Sequence, residues 1–146
     1  MKKDFYTALK RRRTIYGISK EATVTDGRIE EIINNAVKYT PSAFNSQSAR
    51  VVVLFEEQHN ILWDITKDTL RKIIPSEKFG ATKEKISSFR EGYGTVLFFE
   101  DITVTESLQQ QFALYKDNFP IWAQQANGML QYVIWTSLEN LSLIHI

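Results

Sequence analysis

With 146 residues, 43% of them hydrophobic and 24% charged, the sequence has the length and composition of one folded domain over residues 1–146, which excludes a disordered or fibrous chain. Lys and Arg total 18 against 17 Asp and Glu, and a net charge of +1 supplies no global attraction for a polyanion such as nucleic acid. Cysteine is absent, so disulfides, thiolate metal sites and thiol nucleophiles are excluded, and a cytoplasmic location is expected.

In chain order, Phe5, Ala8, Leu9 and Arg12 recur at helical spacing and predict a first helix over residues 4–13. Thr25 is placed to cap a second helix and Val24 to staple onto Ile29. Its apolar face is Ile29, Ile32, Ile33, Ala36 and Val37, and Pro41 stops it near Thr40. Residues 41–47 read as a helix-to-strand loop. Val51 to Phe55 is the longest uninterrupted apolar stretch, far short of the ~20 residues that cross a bilayer, so no membrane partner is expected. With Arg50 in front, this β-branched run predicts a strand covered on both faces.

Ile61, Leu62, Ile65, Thr69 and Ile73 predict a third helix ending at Pro75, and a polar helical segment follows over 82–91. Past Gly92 and Gly94, residues 95–99 predict a second buried strand. Leu108, Phe112 and Tyr115 keep helical spacing. Trp122, Ala126, Met129, Leu130, Val133 and Ser137 then define a long last helix with Pro120 in its first turn. Together these make an α+β layered domain. Two strands are a poor sheet by themselves, and the chain ends in the apolar stretch 140–146 without a stop signal, so a domain lacking its C-terminal part is expected.

Helix geometry turns Arg12 toward the side carrying Phe5 and Leu9, while Arg11 and Arg13 point elsewhere. A guanidinium leaning into a core needs an anion. A phosphate held bidentately, with Thr14 adding a hydroxyl, would serve, and so would an internal Asp or Glu; the residues alone leave both open. In the loop, Asn45 and Gln47 carry donor and acceptor together and suit the mixed edge of a heteroaromatic ring, although Ser and Asn in a turn equally bond their own backbone. Phe44 either plugs the core or lines a ring-binding pocket. His59 and His145 lack metal-ligand spacing, and no metal site is expected. Glu30/Glu31, Glu56/Glu57 and Glu100/Asp101 read as solvated faces or element ends, leaving no catalytic acid–base pair to nominate. Trp63, Trp122 and Trp135 read as core or interface residues.

Taken together, Arg12-Arg13-Thr14-Ile15 and Pro41-Ser42-Ala43-Phe44-Asn45-Ser46-Gln47 resemble, in kind and order, the opening signatures of FMN-dependent nitroreductases. Ser48-Ala49-Arg50, the segment from Gly128 to Tyr132 and that from Trp135 to Glu139 are similar to the subgroup related to fatty-acid repression mutant proteins. The resemblance implies a nitroreductase-like α+β fold, its central, mostly antiparallel sheet flanked by helices, with FMN at a homodimer interface where subunits exchange terminal segments. It implies that Arg12, Arg13 and Thr14 hold the phosphate and ribityl end of FMN. Pro41, Ser42, Asn45 and Gln47 would contact the isoalloxazine, often from the partner subunit, with Phe44 close to the substrate face. The implied activity is ping-pong reduction of nitroaromatics, quinones or similar small acceptors by NADH or NADPH. Such chemistry belongs to the cofactor, so the lack of an acid–base pair is expected. A non-catalytic flavin-binding or regulatory interaction protein of the same fold is the alternative. The resemblance also implies a Gly-rich loop, a further strand and basic residues after the long helix. Residues 140–146 do not resemble these, so this chain is expected to hold FMN weakly or not at all.

Overall fold

The structure, a computed structural model, describes residues 4–141. Helix α1 (Phe5–Arg11) is capped by Asp4, whose carboxylate accepts from the Thr7 backbone N–H at 3.1 Å. At Arg12 the backbone turns extended (φ −53°, ψ 120°), so the helix ends short of the expected residue 13. It touches α6 (Phe119–Asn140) through buried Ala8, while Phe5 stays exposed and does not join the expected apolar stripe.

Helix α2 (Asp26–Tyr39) buries Ile29, Ile33 and Ala36 and ends before Thr40-Pro41, where a residue preceding proline is forced out of helical geometry. Val24 packs on this core as a staple should, whereas Thr25 makes no side-chain cap bond. A short 3-10 turn (Ala43–Asn45) leads into β1 (Ala49–Phe55). Helix α3 (Glu56–Ile73) follows at once, earlier than Ile61, because Glu56 adopts φ 45° and reverses the chain with Glu56 and Glu57 at the helix's positive end. Helix α4 (Phe79–Arg90) likewise starts before Thr82, anchored by buried Phe79 and Ile86. Strand β2 (Gly94–Glu100) precedes α5 (Ile102–Gln111), which is capped by Asp101. The helical spacing through Phe112 and Tyr115 is not one helix: Phe112 has φ −128°, and a 3-10 turn (Ala113–Tyr115) precedes α6.

The strands pair antiparallel, Ala49 opposite Glu100 and Phe55 opposite Gly94. Val51, Val53, Val96 and Phe98 pack on Ile33, Leu130 and Ile134, which places α2 and α6 on one face. The other face is covered by α3 only at its Thr95 end, through His59 and Trp63. Val52 and Phe99 remain exposed. The strands are therefore not covered on both faces: a continuous apolar run signals hydrophobicity but not which side the helices take. Among the described residues no helix is long and apolar enough to cross a membrane. His145 and the tail from Ser142 onward lie outside the described residues.

His59 is 1% exposed and fully bonded as a neutral imidazole. Its Nε2–H donates to the Arg90 carbonyl at 3.2 Å, so Nδ1 accepts from the Thr95 hydroxyl at 2.8 Å, and the Trp63 indole N–H donates to the same oxygen at 3.1 Å. Burial holds its pKa below the ordinary 6.5. Between that depressed value and 6.5 the unfolded chain binds more protons, so His59's contribution is complete above 6.5 and is lost as pH falls through this window. Thermal unfolding followed from pH 8 to 5 should show a falling midpoint below about 6.5, and His59→Gln should flatten that part of the curve.

Candidate functional site

The loop after α2 is wound against its own preferences. Phe44, Asn45 and Gln47 have φ of 56°, 50° and 49°, a region that asparagine tolerates but phenylalanine and glutamine rarely enter. Each such residue costs on the order of 1–3 kcal/mol, so the surroundings must hold the loop. The Gln47 backbone N–H donates to Ser42 Oγ at 3.0 Å, the Asn45 N–H to the Ser42 carbonyl at 3.0 Å, and Gln47 Nε2 to Asn45 Oδ1 at 3.0 Å. The carboxamides thus bond each other. Asn45 Nδ2 and Gln47 Oε1 keep a donor and an acceptor without partners among the described residues.

Pro41, Ser42, Asn45 and Gln47 line one cleft of about 350 Å³, floored by Ala126 and Leu130 of α6. Ser48 closes its inner end, and Thr40 adds a buried hydroxyl without a hydrogen-bond partner. Four of the residues singled out in the sequence therefore meet. Phe44 turns away from them into an aromatic cluster: its ring stacks on Trp122 at 5.9 Å and 19°, with Phe112, Tyr115 and Phe119 around it. At 48% exposed it neither plugs the core nor lines that cleft; it shares a second depression with Ser46 and α5.

Arg12, Arg13 and Thr14 lie elsewhere. The Arg12 guanidinium sits over the Trp135 ring at 4.1 Å and reaches the Tyr132 ring at 5.8 Å. Its Nε is buried with no hydrogen-bond partner, and Arg12 makes no salt bridge among the described residues. The internal ion pair is thus not what holds it. Arg13 and Thr14 are exposed. At 100° per residue, Tyr132 and Trp135 stand roughly 120–180° round α6 from Ala126 and Leu130. The arginine patch and the loop cleft therefore occupy opposite sides of one helix.

Several supports were not singled out in the sequence. Arg50 donates to the Gln47 carbonyl at 2.8 Å and to Asp101 at 2.9 Å. The Thr103 hydroxyl, and less strongly its amide and Arg50, hold the Asp101 carboxyl below its ordinary value. Glu100 is not on a solvated face: its carboxylate accepts from Ser48 Oγ at 2.6 Å and Asn127 Nδ2 at 2.7 Å. The one sequence signal was its place at the end of an apolar strand, one residue before a helix cap.

Three comparisons with known proteins agree. Residues 9–143 match the Nitroreductase family model. The chain is 36% identical over 141 residues to the putative nitroreductase HBN1 of Saccharomyces cerevisiae, covering 95% of this chain and 70% of that protein. It is 34% identical over 142 residues to the nitroreductase FRM2 of the same yeast, with coverage of 96% and 70%. Among solved structures it is similar to the nitroreductase CinD from Lactococcus lactis in complex with chloramphenicol (TM-score 0.83, 37% identity, 94% of this chain and 69% of that one). A putative nitroreductase from Desulfovibrio desulfuricans in complex with FMN shares the fold alone (TM-score 0.63, 20% identity, 97% and 65%).

Proposed function

This chain belongs to the nitroreductase family, and from that premise we propose that it is an FMN-dependent oxidoreductase, cytoplasmic, a homodimer through one domain per chain, that reduces nitroaromatics, quinones or similar acceptors with NADH or NADPH. The observation that carries the proposal is the separation of two half-sites on opposite sides of α6. The cleft beside residues 41–47, at about 350 Å³, stands near the low end of ligand pockets of ~300–1,000 Å³. It suits a ring system, and no basic side chain other than Lys38 and Arg50 lines it to meet a phosphate. The unpartnered donor Asn45 Nδ2 and acceptor Gln47 Oε1 fit the edge of an isoalloxazine. On the far side, the orphaned Arg12 Nε beside Arg13 and Thr14 fits a phosphate.

A second copy of the chain resolves the separation if each flavin takes its ring contacts from one protomer and its phosphate contacts from the other. Exposed Met129, Tyr132 and Val133 on α6, with Val37 and Tyr39 on α2, offer an apolar surface for that pairing. With FMN bound, the available chemistry is two-electron transfer from a nicotinamide to an acceptor in ping-pong order. The chain's own residues bind and orient: Pro41 and Ser42 shape the cleft, Asn45 and Gln47 read the ring edge, and Phe44 with Trp122 presents aromatic surface beside it to a planar acceptor. CinD in complex with chloramphenicol supports a nitroaromatic acceptor.

The test is NAD(P)H oxidation with a nitroaromatic or quinone, with FMN added in excess so that weak retention does not hide activity. Parallel double-reciprocal lines are expected; flavin binding without turnover would favour the non-catalytic alternative. Asn45→Gly, which keeps the left-handed backbone available and removes the carboxamide, should raise the Kd for FMN about tenfold with little change in melting temperature.

A further inference from the structure

Glu100 is a carboxylate with both oxygens engaged and no cation within ion-pair distance among the described residues. Oε2 takes the hydroxyl proton of Ser48, itself 2% exposed, at 2.6 Å, and Oε1 takes Asn127 Nδ2, from a side chain in a 5% exposed residue, at 2.7 Å. Asn127 cannot flip, because its Oδ1 already accepts from Gln131 Nε2 at 2.7 Å. The Ser48 carbonyl is fixed as well, accepting the Asp101 backbone N–H at 2.9 Å. One side chain thus ties the start of β1, the end of β2 and the middle of α6.

Ser48 is the residue immediately after Gln47 and forms part of the cleft wall. The loop it terminates holds three residues in the left-handed region, a conformation that persists only where its ends are over-determined. A hydrophobic core would hold the strands together equally well, and a buried polar network of this kind instead specifies one geometry. We propose that Glu100 is a positioning residue: through Ser48 it fixes the loop that presents Asn45 and Gln47 to the flavin ring, and its negative charge one hydrogen bond behind the cleft lowers the reduction potential of the bound flavin. This rests on the flavin reading above.

The test compares wild type, Glu100→Gln and Ser48→Ala in the dimeric protein. Glu100→Gln keeps the shape and removes the charge; Ser48→Ala keeps the charge and removes the link. FMN titration, the midpoint potential of the bound flavin and amide hydrogen exchange of residues 42–47 without flavin are measured. Both variants should weaken FMN binding about tenfold and speed exchange in the loop, while only Glu100→Gln should move the potential clearly positive. Unchanged affinity, potential and loop exchange in folded variants would overturn the role of Glu100 alone. A wild-type protein that takes up no FMN at any concentration would overturn the flavin reading and this inference with it. Should Glu100→Gln fail to fold, Ser48→Ala decides: unchanged loop exchange counts against the proposal.

Discussion

Replacing Arg12 with alanine is expected to raise the Kd for FMN roughly 30- to 150-fold, the equivalent of about 2–3 kcal/mol for charge-assisted bonds to a phosphate. The residue is prepared for this and held by little else. Its guanidinium carbon lies 4.1 Å from the centre of the Trp135 ring, its Nε is desolvated without a partner, and no acid among the described residues pairs with it. Arg12→Ala also removes the stacking on Trp135, worth ~0.5–2 kcal/mol, so melting should be measured beside binding. Arg12→Lys separates the two effects: it keeps the charge, loses the planar fork, and should fall between wild type and alanine. Affinity unchanged in Arg12→Ala would remove the phosphate from this patch.

Gly94→Ala should be the most damaging small substitution in the framework. A Cβ there would stand 2.8 Å from the Leu54 carbonyl oxygen and 3.2 Å from the Phe55 ring. Leu54 and Phe55 are on the paired strand, so the clash is met by backbone that cannot swing aside. Opening that end of the two-stranded ribbon would also disturb Thr95, to which His59 and Trp63 are bonded. A loss of about 3 kcal/mol is expected, a fall in melting temperature of roughly 6–12 °C for a domain of this size. Gly80→Ala is the control: nothing lies within 4 Å of its Cβ in α4, so it should be neutral or stabilise by up to ~1 kcal/mol. Equal melting temperatures for the two variants would mean the strand pairing is looser than described.

The loop was legible in the sequence because its chemistry is local. Proline ends α2, and serine and asparagine bond within the turn, so Pro41, Ser42, Asn45 and Gln47 meet wherever the rest of the chain goes. Arg12 was only partly legible. Helical spacing carried it toward the body of the protein, yet one extended residue at the helix end re-aimed it onto Trp135, and no periodicity encodes which side of α6 receives α1. The direction of Phe44 was not legible for a related reason: its positive φ and its stacking on Trp122, far along the chain, are not encoded in any local spacing. Glu100 was legible only as a strand end, since its partners Ser48 and Asn127 lie 52 and 27 residues away and no local pattern points to them.

The shared flavin site is tested most directly by mixing two defective chains. Arg12→Ala lacks the phosphate patch and Asn45→Gly lacks the ring contact, and each alone should bind FMN poorly. If each site takes one half from each protomer, subunit exchange creates mixed dimers with one intact site and one doubly defective site. FMN titration of the exchanged mixture should then show about a quarter of the sites regaining wild-type affinity, the share that random pairing produces. A mixture that binds FMN no better than its two parents would contradict the account, because a site contained within one chain gains nothing from exchange.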